Sequence, residues 1–156
     1  MKHLSKVLFI LLIPFVWAEE IEVSAKELIG DEQRKLTQLK GNVEVKRAKD
    51  NLKADEAFIY LDSNNRPNRM QAIGNVRFWL TLQDGRRIEG RANEALYLPS
   101  NQEYQILGNA VVKEIAKNNV VRGDKIIIRY KEGFINVLGN EEKPARLIFK
   151  LEKEPK

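Results

Sequence analysis

The chain has 156 residues, with 27 Lys and Arg against 22 Asp and Glu, no Cys and a single His, His3. This length allows one domain, and the lack of Cys excludes a disulfide framework. His3 lies in the leader described next, so the mature chain has neither Cys nor His and excludes Ser-His triads, thiolate nucleophiles and imidazole metal ligands. We therefore predict no metal and no cofactor, and among catalytic mechanisms only those based on carboxylates stay open.

Residues 1–18 are typical of a cleaved secretory signal peptide. Lys2 and Lys6 precede an apolar run, and Val16 and Ala18 stand at the −3 and −1 positions of a cut after Ala18. A retained membrane anchor is the alternative, but the run is shorter than the roughly 20 apolar residues that a spanning helix needs. We therefore expect an exported protein, and a Gram-negative periplasm suits a chain without Cys, although the residues alone do not name the compartment.

The mature chain carries a small positive charge. Removing Lys2 and Lys6 from the 27 basic residues leaves 25 against 22 acidic ones, a net charge of +3. The two signs are mixed along the chain, without the concentrated basic patch of a nucleic-acid binder. We predict no nucleic-acid partner.

The mature chain opens with a predicted strand over residues 20–25, where apolar and polar residues alternate and Ile21 and Val23 share one face. Residues 26–35 are polar, and Gly30-Asp31 is predicted to be a turn before a strand that reaches Gly41. A helix over residues 24–38 is the alternative, because Ala, Lys, Glu and Leu favour helices.

A four-residue signature then returns at near-even intervals, with glycines 33, 34 and 31 residues apart. The copies are Lys40-Gly41-Asn42-Val43, Ile73-Gly74-Asn75-Val76, Leu107-Gly108-Asn109-Ala110 and the truncated Leu138-Gly139-Asn140. Each complete unit continues with an alternating strand, a polar break, a second strand and a third strand. The second strands are predicted to open at Ala54-Asp55, Ala92-Asn93 and Gly123-Asp124. Units this small cannot bury a face alone, so the repeat predicts stacked strands. The glycines are predicted to mark bends or bulges and not a phosphate cradle.

Alternation assigns an inner face to these strands. Val43 and Val45 alternate with charged residues, and the strands after the later signatures follow the same pattern. In the strand after Gly123-Asp124, Lys125 and Arg129 must face outward, which places Ile126 and Ile128 inside. The first and last strands are then open edges. The interior between the sheets is either a closed core or a trough for acyl chains.

The order and spacing of these motifs resemble the OstA-like domain of the LptA family. The resemblance spans residues 20–151 and is carried by Ile21–Ala25, Gly41–Val45, Ala54-Asp55, Gly74–Val76, Gly90–Ala92, Gly108–Ala110 and Gly123–Ile126. Lys26 and Asn93 depart from it, each standing where the family tends to have Asp. The resemblance implies an all-β fold, a twisted V-shaped β-jelly-roll of stacked short antiparallel strands. It forms one domain over residues 19–151, followed by a charged tail at 152–156.

The resemblance also implies a non-enzymatic periplasmic carrier that binds lipid A acyl chains between its sheets. Such a carrier passes lipopolysaccharide from an inner-membrane complex to the outer-membrane assembly complex. LptC-like and LptD-like proteins, and further copies head-to-tail, are the expected partners of the terminal edge strands. The acyl chains are expected to contact Ile21, Val23, Val43, Val45, Ile59, Val76, Phe78, Leu80, Tyr97, Ile106, Ala110, Val112, Ile126 and Ile128. Six basic residues are rim candidates for lipid phosphates, although a solvated face is the favoured interpretation: Lys46, Arg47, Arg77, Arg86, Arg87 and Arg91.

Three alternatives stay open. An LptC-like subunit of the same pathway would keep its N-terminal segment as a membrane anchor. A polysaccharide-acting β-solenoid enzyme would use carboxylates such as Asp55 and Asp124, although their recurrence once per repeat favours a structural role. A plain adaptor with a closed core would bind no lipid.

Overall fold

The computed structural model describes residues 20–149, which are mostly β-strand and include one 3₁₀ helix at Pro99–Asn101. The strands are β1 (Ile21–Ser24), β2 (Glu27–Asp31), β3 (Leu36–Arg47), β4 (Asp50–Leu61), β5 (Pro67–Thr81), β6 (Arg87–Leu98), β7 (Glu103–Glu114), β8 (Asn119–Arg129), β9 (Phe134–Leu138) and β10 (Arg146–Ile148). All pairings are antiparallel, which confirms the all-β prediction. Within this range no helix has the length and hydropathy to cross a membrane. The predicted signal peptide and charged tail lie outside the described residues.

Each Gly-Asn signature that falls inside a strand is a β-bulge. The pairing of β3 with β4 shifts between Lys40 and Val43, and β5 and β7 show the same shift at their own signatures. Gly41 and Asn42 both take left-handed backbone, with φ of 81° and 46°. Glycine adopts this conformation at no steric cost, and Asn visits it more readily than most residues. The repeat therefore has two long strands and not three, because the segments predicted before and after each signature are continuous. The strand openings predicted at Ala54-Asp55, Ala92-Asn93 and Gly123-Asp124 are wrong, since these pairs lie inside β4, β6 and β8 opposite the bulges.

The repeated Asp or Asn packs on the glycine of the next bulge. A Cβ atom on Gly74 would lie 2.6 Å from Asp55 Oδ2, and one on Gly108 would lie 2.7 Å from Asn93 Nδ2. Asp55 Oδ2 also accepts a hydrogen bond of 2.8 Å from Asn75 Nδ2. These contacts give Asp55 a structural role in holding the bulge, as its recurrence in the repeat indicates.

The bulges fold the sheet into two layers that face each other. In the first layer, the halves of β3, β5 and β7 that precede the bulges pair with the facing halves of β4, β6 and β8. Strands β2 and β9 form the two edges of this layer. The second layer contains β1, β10 and the remaining halves. The layers meet along the line of bulges. Their far edges, which carry the turns, form what is termed the mouth.

Most local predictions hold, and one turn is misplaced. Ile126 and Ile128 are fully buried while Arg129 is exposed, so the inferred register is confirmed. The turn predicted at Gly30-Asp31 is wrong, because both residues belong to β2. The chain turns at residues 32–35 instead, where Asp31 Oδ1 accepts a hydrogen bond of 3.0 Å from the Arg34 amide. An acidic side chain that bonds the backbone in this way stabilises the turn after a strand, not within it.

Candidate functional site

The predicted acyl-contacting residues gather between the layers in two clusters. The larger cluster contains Val76, Phe78, Leu80, Ile106, Ala110, Val112, Ile126 and Ile128, with Tyr97 at its edge. The smaller one contains Val43, with Val23, Val45 and Ile59 packed against it. Ile21 lies on β1 at the end of the stack. In the larger cluster the eight apolar side chains are at most 4% exposed. The middle of the interior is therefore a closed core, and the apolar side chains become only partly buried toward the N-terminal strands.

The rows of inward-facing side chains continue onto the terminal strands at both ends of the sheet, where no further strand covers them. Leu28 on β2 lies opposite the buried Leu39 but is itself 59% exposed. At the other end, Leu147 on β10 lies opposite Val121, which packs on the larger cluster, and it is 63% exposed. Directly opposed residues of antiparallel strands share a face. Leu28 and Leu147 thus extend the apolar interior beyond its last covered strand.

Arg47 joins the two layers across the mouth. Its Nη1 donates a hydrogen bond of 2.6 Å to Tyr97 Oη, and its Nη2 donates one of 3.3 Å to Tyr104 Oη. Asp50 Oδ2 lies 3.5 Å from Arg47 Nη2, so the guanidinium is also ion-paired. Tyr97 Oη is 3.2 Å from Tyr130 Oη, and the rings of Tyr97 and Tyr104 stack with centroids 4.8 Å apart. Arg47, Tyr97, Tyr104 and Tyr130 are termed the latch.

The latch holds the cation of Arg47 among tyrosine hydroxyl groups. Burial alone lowers the pKa of Arg47, but the oxygens of Tyr104, Tyr97 and Tyr130 raise this pKa overall above its ordinary value. Burial raises the pKa of Tyr97 to about 12, helped by the hydrogen bond with Tyr130 and opposed by Arg47. Burial also raises the pKa of Tyr104. Because desolvation disfavours the phenolate form, the hydroxyl groups of Tyr97 and Tyr104 stay protonated while the guanidinium stays charged.

The mouth is bridged more firmly toward the C-terminal end than toward the N-terminal end. The Gln83 amide donates a hydrogen bond of 2.9 Å to the Tyr130 carbonyl, and Arg86 Nη2 donates one of 3.1 Å to the Gly133 carbonyl. On the β1 and β2 side of the latch, no hydrogen bond or ion pair between residues 20–149 crosses the mouth. The layers are therefore least constrained beside the smaller cluster.

The cavity beneath the latch is too small for an acyl chain. Its volume is about 40 Å³, which is room for one or two water molecules. The apolar part of its lining comes from Ile21, Val45, Leu52, Met70 and Leu80. A hydrocarbon chain can occupy this space only if the two layers move apart.

The six basic residues predicted for the rim do not act as one set. Arg47 points into the mouth and its side chain is only 13% exposed, so the expected solvated face is wrong for this residue. The sequence carried a signal for it, since Arg47 continues the period-two alternation of Val43 and Val45. Arg86 forms an ion pair of 2.8 Å with Asp84. Four residues are exposed as expected: Lys46, Arg77, Arg87 and Arg91.

The structure gives Asp55, one of the two carboxylates considered for catalysis, a structural role. Asp55 is committed to the bulge at Gly74-Asn75. Among residues 20–149, no group of three or more His, Cys, Asp or Glu side chains gathers that could hold a metal ion.

Comparison with known proteins places this architecture in a family. The model of a family described as the LptA and LptD N-terminal domain LPS transport protein matches residues 22–134. The fold is similar to that of LptH, described as the LptA homologous periplasmic component of the lipopolysaccharide transport device from Pseudomonas aeruginosa. That match has a TM-score of 0.76 and 14% sequence identity, and it covers 85% of this chain and 96% of LptH. No curated protein sequence matches the chain. At this identity the structural likeness shows the fold alone, and it confirms the jelly-roll prediction.

Proposed function

The chain belongs to the family of LptA proteins and LptD N-terminal domains that transport lipopolysaccharide, and from this premise we propose that it is a non-enzymatic periplasmic carrier. It shelters lipid A acyl chains between its layers and passes the lipid from an inner-membrane complex toward the outer-membrane assembly complex. One observation carries this proposal: apolar clusters lie between the layers toward both ends of the sheet, and their rows of side chains are uncovered at those ends, at Leu28 and Leu147.

The physical reason for such a carrier is the cost of exposing hydrocarbon to water. Each methylene group that leaves an apolar environment costs about 0.8 kcal/mol, so an acylated lipid crosses an aqueous compartment slowly without shelter. Side chains such as Val45, Phe78 and Ile128 offer an apolar surface of the required kind. Energy for directional movement must come from other proteins, because the chain has no nucleotide-binding motif.

Acyl binding requires the layers to separate, starting from the N-terminal side of the mouth. Val45 and Ile59 are only partly buried there, whereas the larger cluster is closed. The latch is the next barrier along the mouth, and it consists of side-chain contacts that break without unpairing a strand. We place the first acyl contact at Val45 and Ile59, with Phe78 and Ile128 reached after the latch opens.

The two ends of the sheet are the proposed binding sites for partner proteins. Unpaired edge strands present free amide and carbonyl groups that another strand can satisfy. Nearly all exposed large apolar side chains of the described residues sit at these ends, namely Ile21, Leu28, Ile29, Phe134, Leu138, Leu147, Ile148 and Phe149, with Ile115 as the exception. We propose that LptC-like and LptD-like proteins, and further copies of the chain, add strands here and extend the interior. We also propose that a cleaved signal peptide exports the chain to the periplasm, where these partners would be met.

Site-specific photo-crosslinking tests the lipid contact. A photoreactive residue at Val45 or Ile59 should form adducts with lipopolysaccharide, and one at the outward neighbour Glu44 should not. A second matched pair compares inward Ile128 with outward Lys125. Equal labelling within both pairs would contradict acyl binding between the layers. Bridging of partner proteins without any labelling would instead indicate an adaptor with a closed core.

A further inference from the structure

Four arginines stand in a row on the outer face of the second layer. Arg77 on β5 lies directly opposite Arg91 on β6, and Arg122 on β8 lies directly opposite Arg146 on β10. Val111 on β7 stands between the two pairs, opposite both Arg91 and Arg122. All four arginine side chains are exposed. With neighbouring strands about 4.8 Å apart, the four steps from β5 to β10 span about 19 Å. These residues are termed the arginine row.

The arginine row is electrostatically unfavourable for the protein alone. Like charges directly opposite each other on neighbouring strands repel. Among the described residues, no carboxylate lies within ion-pair distance of any of the four. Arg86 and Arg129, which lie elsewhere, have Asp84 at 2.8 Å and Glu103 at 3.2 Å. A guanidinium group binds phosphate or carboxylate through two parallel hydrogen bonds. An external ligand with several anionic groups would therefore remove the repulsion.

The arginine row lies in a built groove and not on a flat surface. The groove has a volume of about 720 Å³, within the range of ligand sites. The segment 140–144 closes one end: Asn140 Oδ1 accepts hydrogen bonds of 2.9 Å and 2.7 Å from the amides of Glu142 and Lys143, and Lys143 Nζ lies 3.4 Å from Asn109 Oδ1. With Lys143, five cationic side chains line the groove against two acidic ones, Asp124 and Glu142. The groove therefore keeps a net positive charge.

We propose that this groove binds an anionic saccharide. The arginine row holds its phosphate or carboxylate groups, and the amides of Asn75, Asn93 and Asn109 along the wall bond its hydroxyl groups. The inference rests on the proposed function, since lipopolysaccharide joins acyl chains to a charged saccharide. A single free phosphate would need only one arginine pair, whereas this row extends over about 19 Å. The protein thus has one surface for the lipid and a separate one for the sugar.

The test uses a saccharide without acyl chains, so that the interior plays no part. The ligand is the fully deacylated, phosphorylated oligosaccharide prepared from lipopolysaccharide, and its affinity is measured by titration calorimetry. Two double variants remove one pair each, Arg77→Gln with Arg91→Gln, and Arg122→Gln with Arg146→Gln. The control with the same net charge is Arg34→Gln with Arg66→Gln, because both residues are exposed in turns outside the groove. Thermal unfolding of each variant checks that it is folded.

Binding by the unaltered chain that weakens about tenfold or more in each groove variant, and not in the control, supports the proposal. Equal weakening in the control would show a diffuse effect of surface charge and overturn it. Saturation by inorganic phosphate, with no added affinity for the oligosaccharide, would also overturn it, as would equal binding of a polyglutamate peptide. This result is separate from the proposed function: failure of crosslinking at Val45 with saccharide binding intact would reject acyl binding and leave the groove standing.

Discussion

Arg47 Nη1 donates a hydrogen bond of 2.6 Å to Tyr97 Oη, and the two residues belong to opposite layers of the fold. The guanidinium carbon also lies 5.3 Å from the centre of the Tyr97 ring, at a distance typical of cation–π contact. Because β3 and β6 are not paired with each other, this connection is made by side chains alone. The mouth can therefore open without the loss of any strand pairing.

Removal of the Arg47 guanidinium is expected to open the mouth. In Arg47→Ala, the hydroxyl groups of Tyr97 and Tyr104 and the carboxylate of Asp50 lose a partner, and the free energy of unfolding should fall by about 1–3 kcal/mol. A fluorescent acyl chain should bind faster, because the layers separate more often. The control Lys46→Ala removes a neighbouring outward charge that is 53% exposed and should change neither quantity. A destabilised Arg47→Ala that binds the acyl chain no faster would show that the latch is not the barrier.

Tyr97 should make stability depend on pH at the alkaline end. Its pKa is raised to about 12 in the folded chain, against about 10 for an unfolded Tyr. Below about pH 10 both states keep the proton, and the contribution of Tyr97 to stability is fully present. Between about pH 10 and pH 12 only the unfolded state releases the proton, so the free energy of unfolding decreases as pH rises. Urea unfolding across this window should show a shallower decrease in the free energy of unfolding for Tyr97→Phe than for the unaltered chain, and an equal decrease would contradict this role of Tyr97.

The bulge at Gly74 should tolerate a methyl group less well than an open turn does. Gly74 and Gly85 have nearly the same φ, 87° and 89°, but only a Cβ on Gly74 meets Asp55. Both Ala variants pay about 1–2 kcal/mol for the left-handed backbone. Gly74→Ala should lose about 1 kcal/mol more, because Asp55 must turn away and give up its hydrogen bond to Asn75.

Urea unfolding of Gly74→Ala, Gly85→Ala and a double variant separates the two effects. Adding Asp55→Ala to Gly74→Ala removes the collision, so the two changes should cost less together than the sum of their separate costs. Equal losses in Gly74→Ala and Gly85→Ala, with additive behaviour in the double variant, would mean that the Asp55 contact contributes nothing.

Alternation and repetition were sufficient to predict the layers but not the latch or the arginine row. Ile126 and Ile128 could be placed inside because charged neighbours fixed one register and the repeat carried it along the chain. The same alternation places Arg47 at an inner position, but burying a charged side chain without partners is unfavourable, so the sequence argued against that placement. The partners are three tyrosines that are distant from Arg47 in sequence. Those partners meet only after the strands stack.

The arginine row depended on information that no single strand contains. Arg77 and Arg91 each look like ordinary outward residues, and their opposition follows from the register between β5 and β6. The bulge at Gly74-Asn75 shifts that register between Ile73 and Val76. The sequence located this bulge but not the number of residues that oppose it, so the cross-strand neighbours could not be assigned.

Leu147 and Leu28 should control self-association from opposite ends. Both continue the interior and are mostly exposed, so burial against a second copy should stabilise the contact by about 1.5–3 kcal/mol for each Leu. Leu147→Asp and Leu28→Asp should each weaken self-association about tenfold or more in sedimentation velocity. Ile115→Asp is the matched control, because Ile115 is an exposed apolar residue in the turn after β7 and away from both ends.

A head-to-tail contact uses different surfaces on its two partners. A mixture of Leu147→Asp and Leu28→Asp should therefore form mixed dimers through the two intact ends, and it should stop there. Longer oligomers in the mixture, or equal weakening by Ile115→Asp, would contradict association through the terminal strands.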